Sequence, residues 1–201
     1  FRMAFLGTIM GDYTTALKFD NRYLQAVRNM NDSLTMAKAL NNIGQDYSDL
    51  GEYDDAYYYL TKSYKLARSM EDSLLQAICL FNLGHVFKEL GQYDIALNHF
   101  TISSQISKKI GDLDGEAFVE KEVGSLYLKK KDFIKAEASL SKALQVTRER
   151  KLTVIEPQTL ISLAELNMEE KSYELSLDYY DSAYQLFAAS KNIFCIASSK
   201  L

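Results

Sequence analysis

The chain has 201 residues, 47% hydrophobic and 25% charged, with a formal net charge of −4 at pH 7. This is ordinary usage for a chain able to build an apolar core, and the charge is too small and too acidic to suggest a nucleic-acid surface. One proline and nine glycines leave no room for a Gly/Ser linker, and no apolar run reaches the ~18 residues that would span a bilayer.

The opening segment FRMAFLGTIM has a faint signal-peptide look, but it lacks a cleavage site and falls in register with the repeats downstream. With no initiator Met, it reads as the interior of a longer protein. From there a period of about 40 residues organises the chain. Gly44, Gly84, Gly124 and Ala164 coincide on it, as do Tyr13, Tyr53, Tyr93, Phe133 and Tyr173, and Ala16, Ala56, Ala96, Ala136 and Ser176. Asp32, Asp72 and Asp112 mark successive repeat ends. Repeats of this period form solenoids whose units bury their faces only against neighbours.

Each unit reads as two helices. Met36, Ala37, Leu40, Ile43, Tyr47 and Leu50 recur at three- and four-residue spacing, the stripe of one α-helix. Gly51 supplies the left-handed residue that ends it. Asp54 or a neighbour is expected to cap the second helix, which runs to about Met70, and Gly91 with Asp94 does the same one unit later. At the next turn Lys131 replaces the glycine. A left-handed lysine costs about 1 kcal/mol, which argues for a different closure there.

The fold class expected is all-α, a right-handed α-solenoid of antiparallel helix hairpins forming one domain over 1–201. Its units are 1–32 (opening helix truncated), 33–72, 73–112, 113–152 and 153–192, with 193–201 beginning a further or capping helix. The fifth unit is the most eroded. It has Pro157 in its first turn, where proline is tolerated, Ala164 for glycine, and Asn167 where Tyr47, Phe87 and Tyr127 stand.

Leu40, Gly44, Tyr47, Ala56 and Leu60, repeated as Leu80, Gly84, Phe87, Ala96 and Phe100, resemble the signature of the tetratricopeptide repeat family over nearly the whole chain. The usual unit of that family has about 34 residues and a proline near its end; here it has about 40 residues and an Asp at the turn. This longer variety is similar to sensory regions of bacterial histidine kinases and diguanylate cyclases, to peptide-sensing quorum regulators, and to animal adaptors that orient the mitotic spindle. Gly44 and Ala56 are expected at the crossing of a hairpin, with Leu40, Tyr47 and Leu60 filling the space around them.

No catalytic constellation emerges, so the chain is expected not to be an enzyme and to need no cofactor or metal. His85 and His99 lie on different helices, and no Cys/His cluster has zinc spacing. GDLDGEAFVEKE at 111–122 resembles a calcium loop, but Gly115 comes three residues after Asp112 rather than five. Tyr57, Tyr58 and Tyr59 read as packing plus one exposed ring, since no basic groove accompanies them. Cys79 and Cys195 are too far apart to bridge and lean weakly toward a reducing compartment. The expected location is cytoplasmic, or periplasmic if the chain is the ectodomain of a membrane sensor.

On a helical wheel, Lys38, Asn41, Asn42, Gln45, Ser48 and Asp49 fall opposite the apolar stripe of the first helix. The family resemblance implies that this side lines a concave groove. The corresponding residues are Ile78, Phe81, Asn82, His85 and Lys88 in the next unit, then Phe118, Lys121, Glu122, Ser125 and Lys129. Asn42 and Asn82 occupy the same place in successive units, and an asparagine can donate to and accept from a peptide backbone. The competing reading is lateral packing between repeats, with His85 an ordinary surface histidine. The function expected is a non-catalytic module that binds a protein or peptide ligand in its groove, as the sensory or docking region of a larger signalling protein. The alternative is a structural self-assembly scaffold acting through a homodimer. Nucleic-acid binding and direct membrane insertion are not expected.

Overall fold

The structure is a computed structural model describing the backbone of residues 12–28 and 32–198 and the side chains of 12–27 and 32–189. The opening helix expected before Asp12, and the side chain of Cys195, lie outside the described residues. Those residues form helices α1 (Tyr13–Arg28), α2 (Ser33–Asp49), α3 (Tyr53–Ser69), α4 (Ser73–Glu89), α5 (Tyr93–Ile110), α6 (Leu113–Lys129), α7 (Phe133–Arg150), α8 (Ile155–Glu169) and α9 (Tyr173–Ser198). The last of these continues past 193, where the sequence suggests a new helix.

Several helix starts are capped by aspartates. Asp32, Asp72, Asp112 and Asp132 accept from the backbone N–H groups of Thr35, Leu75, Gly115 and Lys135 at 3.0, 2.9, 3.0 and 3.3 Å. Each satisfies a donor that the first turn leaves unpaired. The cap expected at Asp54 is corrected. Glu52 is the capping residue of α3 and makes no side-chain capping bond, while Asp54 and Asp55 lie inside the first turn. There they face the positive end of the helix dipole.

Helix ends recur at half the period of the repeat. Among the described residues, Gly51, Glu71, Gly91, Gly111, Lys131, Lys151 and Lys171 all have φ between 56° and 81°. At Lys131 the backbone N–H bonds to Leu128 O at 2.9 Å and that of Asp132 to Tyr127 O at 3.0 Å. Gly51 and Glu52 make the same pair of bonds to Ser48 O and Tyr47 O. The turn at Lys131 therefore closes as the glycine turns do, contrary to the expectation of a different closure. Two recovered carbonyl bonds and the packing of the flanking helices outweigh ~1–2 kcal/mol of left-handed strain.

The chain divides into two compact units, 1–110 and 111–201. In the first, α1 to α5 pack each on the next, and the first helices of successive repeats, α2 and α4, also touch. The second, α6 to α9, repeats this scheme with α6 against α8. Every complete hairpin before α8 crosses at a glycine. A Cβ built on Gly44 would stand 2.6 Å from Leu60 Cγ, one on Gly84 2.6 Å from Phe100 Cε1, and one on Gly124 2.5 Å from Leu140 Cγ. Leu60, Phe100 and Leu140 are fully buried and cannot retreat. The first two crossings are stitched by Ser63 and Ser103, whose hydroxyls donate to the Ala37 and Ala77 carbonyls at 2.6 and 2.8 Å. The hairpin of α8 and α9 has no such knob, because Tyr180 is exposed at the register of Leu140. Ala164 is therefore accommodated, and its carbonyl accepts from Ser176 Oγ at 2.8 Å. Pro157, in the first turn of α8, needs no intrahelical donor there.

The crossing and the turn make opposite demands on side-chain size. Gly84→Ala should lose stability by roughly 1–2 kcal/mol, overpacking exceeding the gain in helix propensity. Lys131→Gly should gain about 1 kcal/mol. Thermal denaturation measures both; an unchanged Tm for Gly84→Ala would contradict the close crossing.

Candidate functional site

The seam between α2 and α4 carries two open pockets. Toward the start of both helices, Lys38, Asn41, Asn42, Asp72, Leu74, Leu75 and Ile78 enclose about 310 Å³. Toward their ends, Gln45, Ser48, Asp49, Tyr53, Phe81, Asn82, His85, Lys88 and Glu89 enclose about 410 Å³. Every residue that the helical wheel places on this face of the two helices lines one pocket or the other. Between the pockets, Asn82 Nδ2 donates to Asn41 Oδ1 at 3.0 Å.

That bond changes how both residues are read. Asn41 does not lie on open surface but is buried. Asn82 cannot be replaced at no cost to folding, because its loss would leave the Asn41 carbonyl without this donor. Asn42, half-buried on the pocket wall, is placed as the helical wheel suggests.

Aromatic packing forms the floor of the second pocket. Phe81 meets His85 edge-on at 4.9 Å, and both rings rest against the buried Phe100 at 5.7 and 5.8 Å. His85 is thereby fixed in place. Asp49 is exposed, but partial desolvation of its carboxyl raises it above its ordinary range, and the nearby His85 draws it back. Lys88 Nζ lies 3.7 Å from Glu89.

In the second unit the corresponding face is bridged. Lys121 Nζ bonds to Gln158 Oε1 at 3.1 Å and pairs with Glu122 at 2.5 Å, while the Ser125 and Ser162 hydroxyls are 3.1 Å apart. Glu122, expected on the groove side, is buried. Phe118 and Lys129 are exposed.

A tetratricopeptide repeat profile matches residues 2–69 and 35–109, and another tetratricopeptide repeat profile matches 122–150. The chain belongs to the tetratricopeptide repeat family. Among solved structures it is similar to the Rap conjugation gene regulator of the plasmid pLS20 in complex with the Phr* peptide, at 16% identity with a TM-score of 0.79. It is also similar to the STAND protein with a tetratricopeptide repeat sensor from Pyrococcus horikoshii (20%, TM-score 0.77) and to BtubC from P. vanneervenii (18%, TM-score 0.73). These matches cover 94%, 96% and 94% of this chain but 52%, 29% and 78% of the other chains. At such identities the likeness is one of fold, the all-α helical-repeat solenoid. A comparison with curated proteins found no match.

One departure from the repeat pattern, in the first unit, is invisible to a reading by period alone. Asp46 occupies the register of Val86, Leu126 and Leu166, and Asp20 that of Leu60, Phe100 and Leu140. Both aspartates are buried, and their carboxyls share a hydrogen bond. One oxygen of each, Asp20 Oδ1 and Asp46 Oδ2, has no protein partner. Burial first, then the neighbouring carboxylates of Asp20 and Asp49, push Asp46 from 3.8 to about 7. The signal in the sequence is an acidic residue in an otherwise apolar register.

Other sequence features find structural roles. Within the segment resembling a calcium loop, Asp112 caps α6, and Glu116 and Glu120 each accept from Lys142 Nζ at 2.7 Å. Of the three tyrosines, Tyr59 stacks on Tyr47 at 5.4 Å, but both Tyr57 and Tyr58 are exposed rather than one. Cys79 is buried, its thiol pushed up to about 11 by desolvation, which suppresses the reactive thiolate. Among the described residues no helix is long and apolar enough to cross a membrane.

Asp46 gives the first unit a specific pH response. Between its unfolded value of 3.8 and its folded value of about 7, the folded chain holds a proton that the unfolded chain has released. Its stabilising contribution is therefore full below about pH 4 and lost as pH rises to about 7. The capping carboxylates Asp32 and Asp132, lowered chiefly by side-chain hydrogen bonds, act in the opposite sense and lose their contribution on acidification. Asp46→Asn should thus melt higher than the parent at pH 8, with the advantage shrinking toward pH 4. A Tm difference independent of pH would refute the shared proton.

Proposed function

We propose that this chain is a non-catalytic recognition module that holds a peptide or extended partner segment along the seam between α2 and α4. It would serve as the sensory or docking region of a larger signalling protein. The observation that carries this reading is the pair of open pockets flanking the Asn41–Asn82 bond. Amides, hydroxyls and aromatic rings facing a seam are the chemistry of recognition. An extended chain brings backbone N–H and C=O groups that need partners. Each asparagine has two N–H donors and one carbonyl, so the bond between Asn41 and Asn82 leaves further capacity in the pair. Asn42 offers a full amide at the rim, Phe81 and Ile78 supply apolar contact, and Lys38, Gln45, His85 and Lys88 line the path. In the second unit, taken by itself, Phe118, Lys121, Ser125 and Lys129 are the candidate contacts. The peptide held by the plasmid regulator, and the sensor role named for the Pyrococcus repeat, support the reading by analogy of fold.

A second reading, self-association, is favoured by one helix. Tyr173, Leu177, Tyr180, Tyr184 and Phe187 of α9 are all exposed and follow a three- and four-residue spacing. Leu140 and Leu144, at the registers of Tyr180 and Tyr184, are buried against α8.

Asn42→Ala separates the two readings. Peptides selected by the parent protein from a displayed random library should bind the variant more weakly by ~0.5–1.5 kcal/mol in fluorescence anisotropy, with Tm unchanged. Unchanged affinity would remove the site from this seam. A dimer in sedimentation velocity that dissociates on Tyr184→Lys would favour assembly instead.

A further inference from the structure

The geometry points to a side-chain code in the seam: an apolar residue and, four positions away in an extended peptide, a lysine or arginine. This rests on the peptide-binding reading above. The two pockets differ in chemistry. The first draws its apolar lining from Leu74, Leu75 and Ile78, and its charged groups, Lys38 and Asp72, are one of each sign. The second presents two carboxylates, Asp49 and Glu89, beside one ammonium, Lys88. Lys88 Nζ lies 3.7 Å from Glu89 Oε1. Asp49 is partly desolvated, which raises its carboxyl, so an arriving cation would stabilise its charged form. An acidic side chain would instead meet two carboxylates against one ammonium.

Spacing follows from helix geometry. The pockets are centred about eight residues apart along α2 and α4, which at about 1.5 Å per residue is roughly 12 Å. Side chains on one face of an extended chain recur every second residue, and four residues span about 13 Å. A helical ligand would need about eight residues to cover the distance and would satisfy its own backbone. It would leave the asparagine amides at the centre of the seam without a role. The extended form uses them, because the Asn41–Asn82 pair lies midway between the two pockets, where the peptide backbone would cross.

The test is selection of a phage-displayed random dodecapeptide library on the 201-residue protein. The parent should enrich peptides with an apolar residue and a Lys or Arg at i and i+4, in either chain direction. Asp49→Lys combined with Glu89→Lys should switch the second position to Asp or Glu, leave the apolar position unchanged, and weaken parent-selected peptides about tenfold or more. Circular dichroism checks that this variant is folded. Should it not fold, the neutral pair Asp49→Asn with Glu89→Gln should lose the basic preference without reversing it. Enriched peptides with no i, i+4 pattern, with helical i, i+7 or i, i+8 spacing, or with a pattern indifferent to these substitutions would overturn the code while leaving peptide binding intact. Failure to enrich any peptide above an empty support would overturn both.

Discussion

The structure depends on one contact made at three hairpins: a large buried side chain pressed against a glycine in the facing helix. At Leu60 on Gly44, Phe100 on Gly84 and Leu140 on Gly124, even a methyl group would enter the van der Waals space of its neighbour. At the first two, that proximity brings the backbones within reach of the Ser63 and Ser103 hydroxyls, which bind carbonyls of the opposing helix. The hairpin is thereby fixed in rotation as well as separation, so the same face of α2 and of α4 is presented at each step. A surface built from several helices can recognise a ligand only if those rotations are held.

The second constraint is the chain reversal at every half-period. Left-handed residues at that spacing leave 17 or 18 residues for most helices between them. Glu71, Lys131, Lys151 and Lys171 take this conformation alongside the glycines, so backbone geometry prevails over residue preference wherever the flanking helices pack well. The length that results matters for recognition. The α2–α4 seam is long enough to hold two pockets with an amide pair between them, and their linings differ because each draws on a different end of the helices.

Two sets of buried or half-buried polar side chains in the first unit come in pairs. Asn41 and Asn82 satisfy one another across the seam, and Asp46 shares a proton with Asp20 in a register that is apolar elsewhere. The buried carboxyl pair and the second pocket both draw on the last turns of α2, through Asp46 on one side and Gln45, Ser48 and Asp49 on the other. The protonation of the core and the charge lining the second pocket are thus set within one stretch of helix.

Period, helix content, the glycine crossings and the polar face of the first helices were all legible in the sequence, because each follows from local spacing. A ruler laid along the chain and a helical wheel need no knowledge of what packs against what. The closure at Lys131, the missing cap at Asp54 and the burial of Asn41 and Glu122 were not legible, since each is decided by its surroundings in the fold. A lysine adopts φ of 60° when two helix ends must be joined by a short turn, and an asparagine is buried when the next repeat's asparagine faces it. The wheel could name the residues on a face, but not divide that face into one pocket with Leu74, Leu75 and Ile78 and another with Asp49, Lys88 and Glu89. That division depends on which side chains of α2 and α4 meet across the seam, and it arises only once the glycine crossings have fixed the helices side by side.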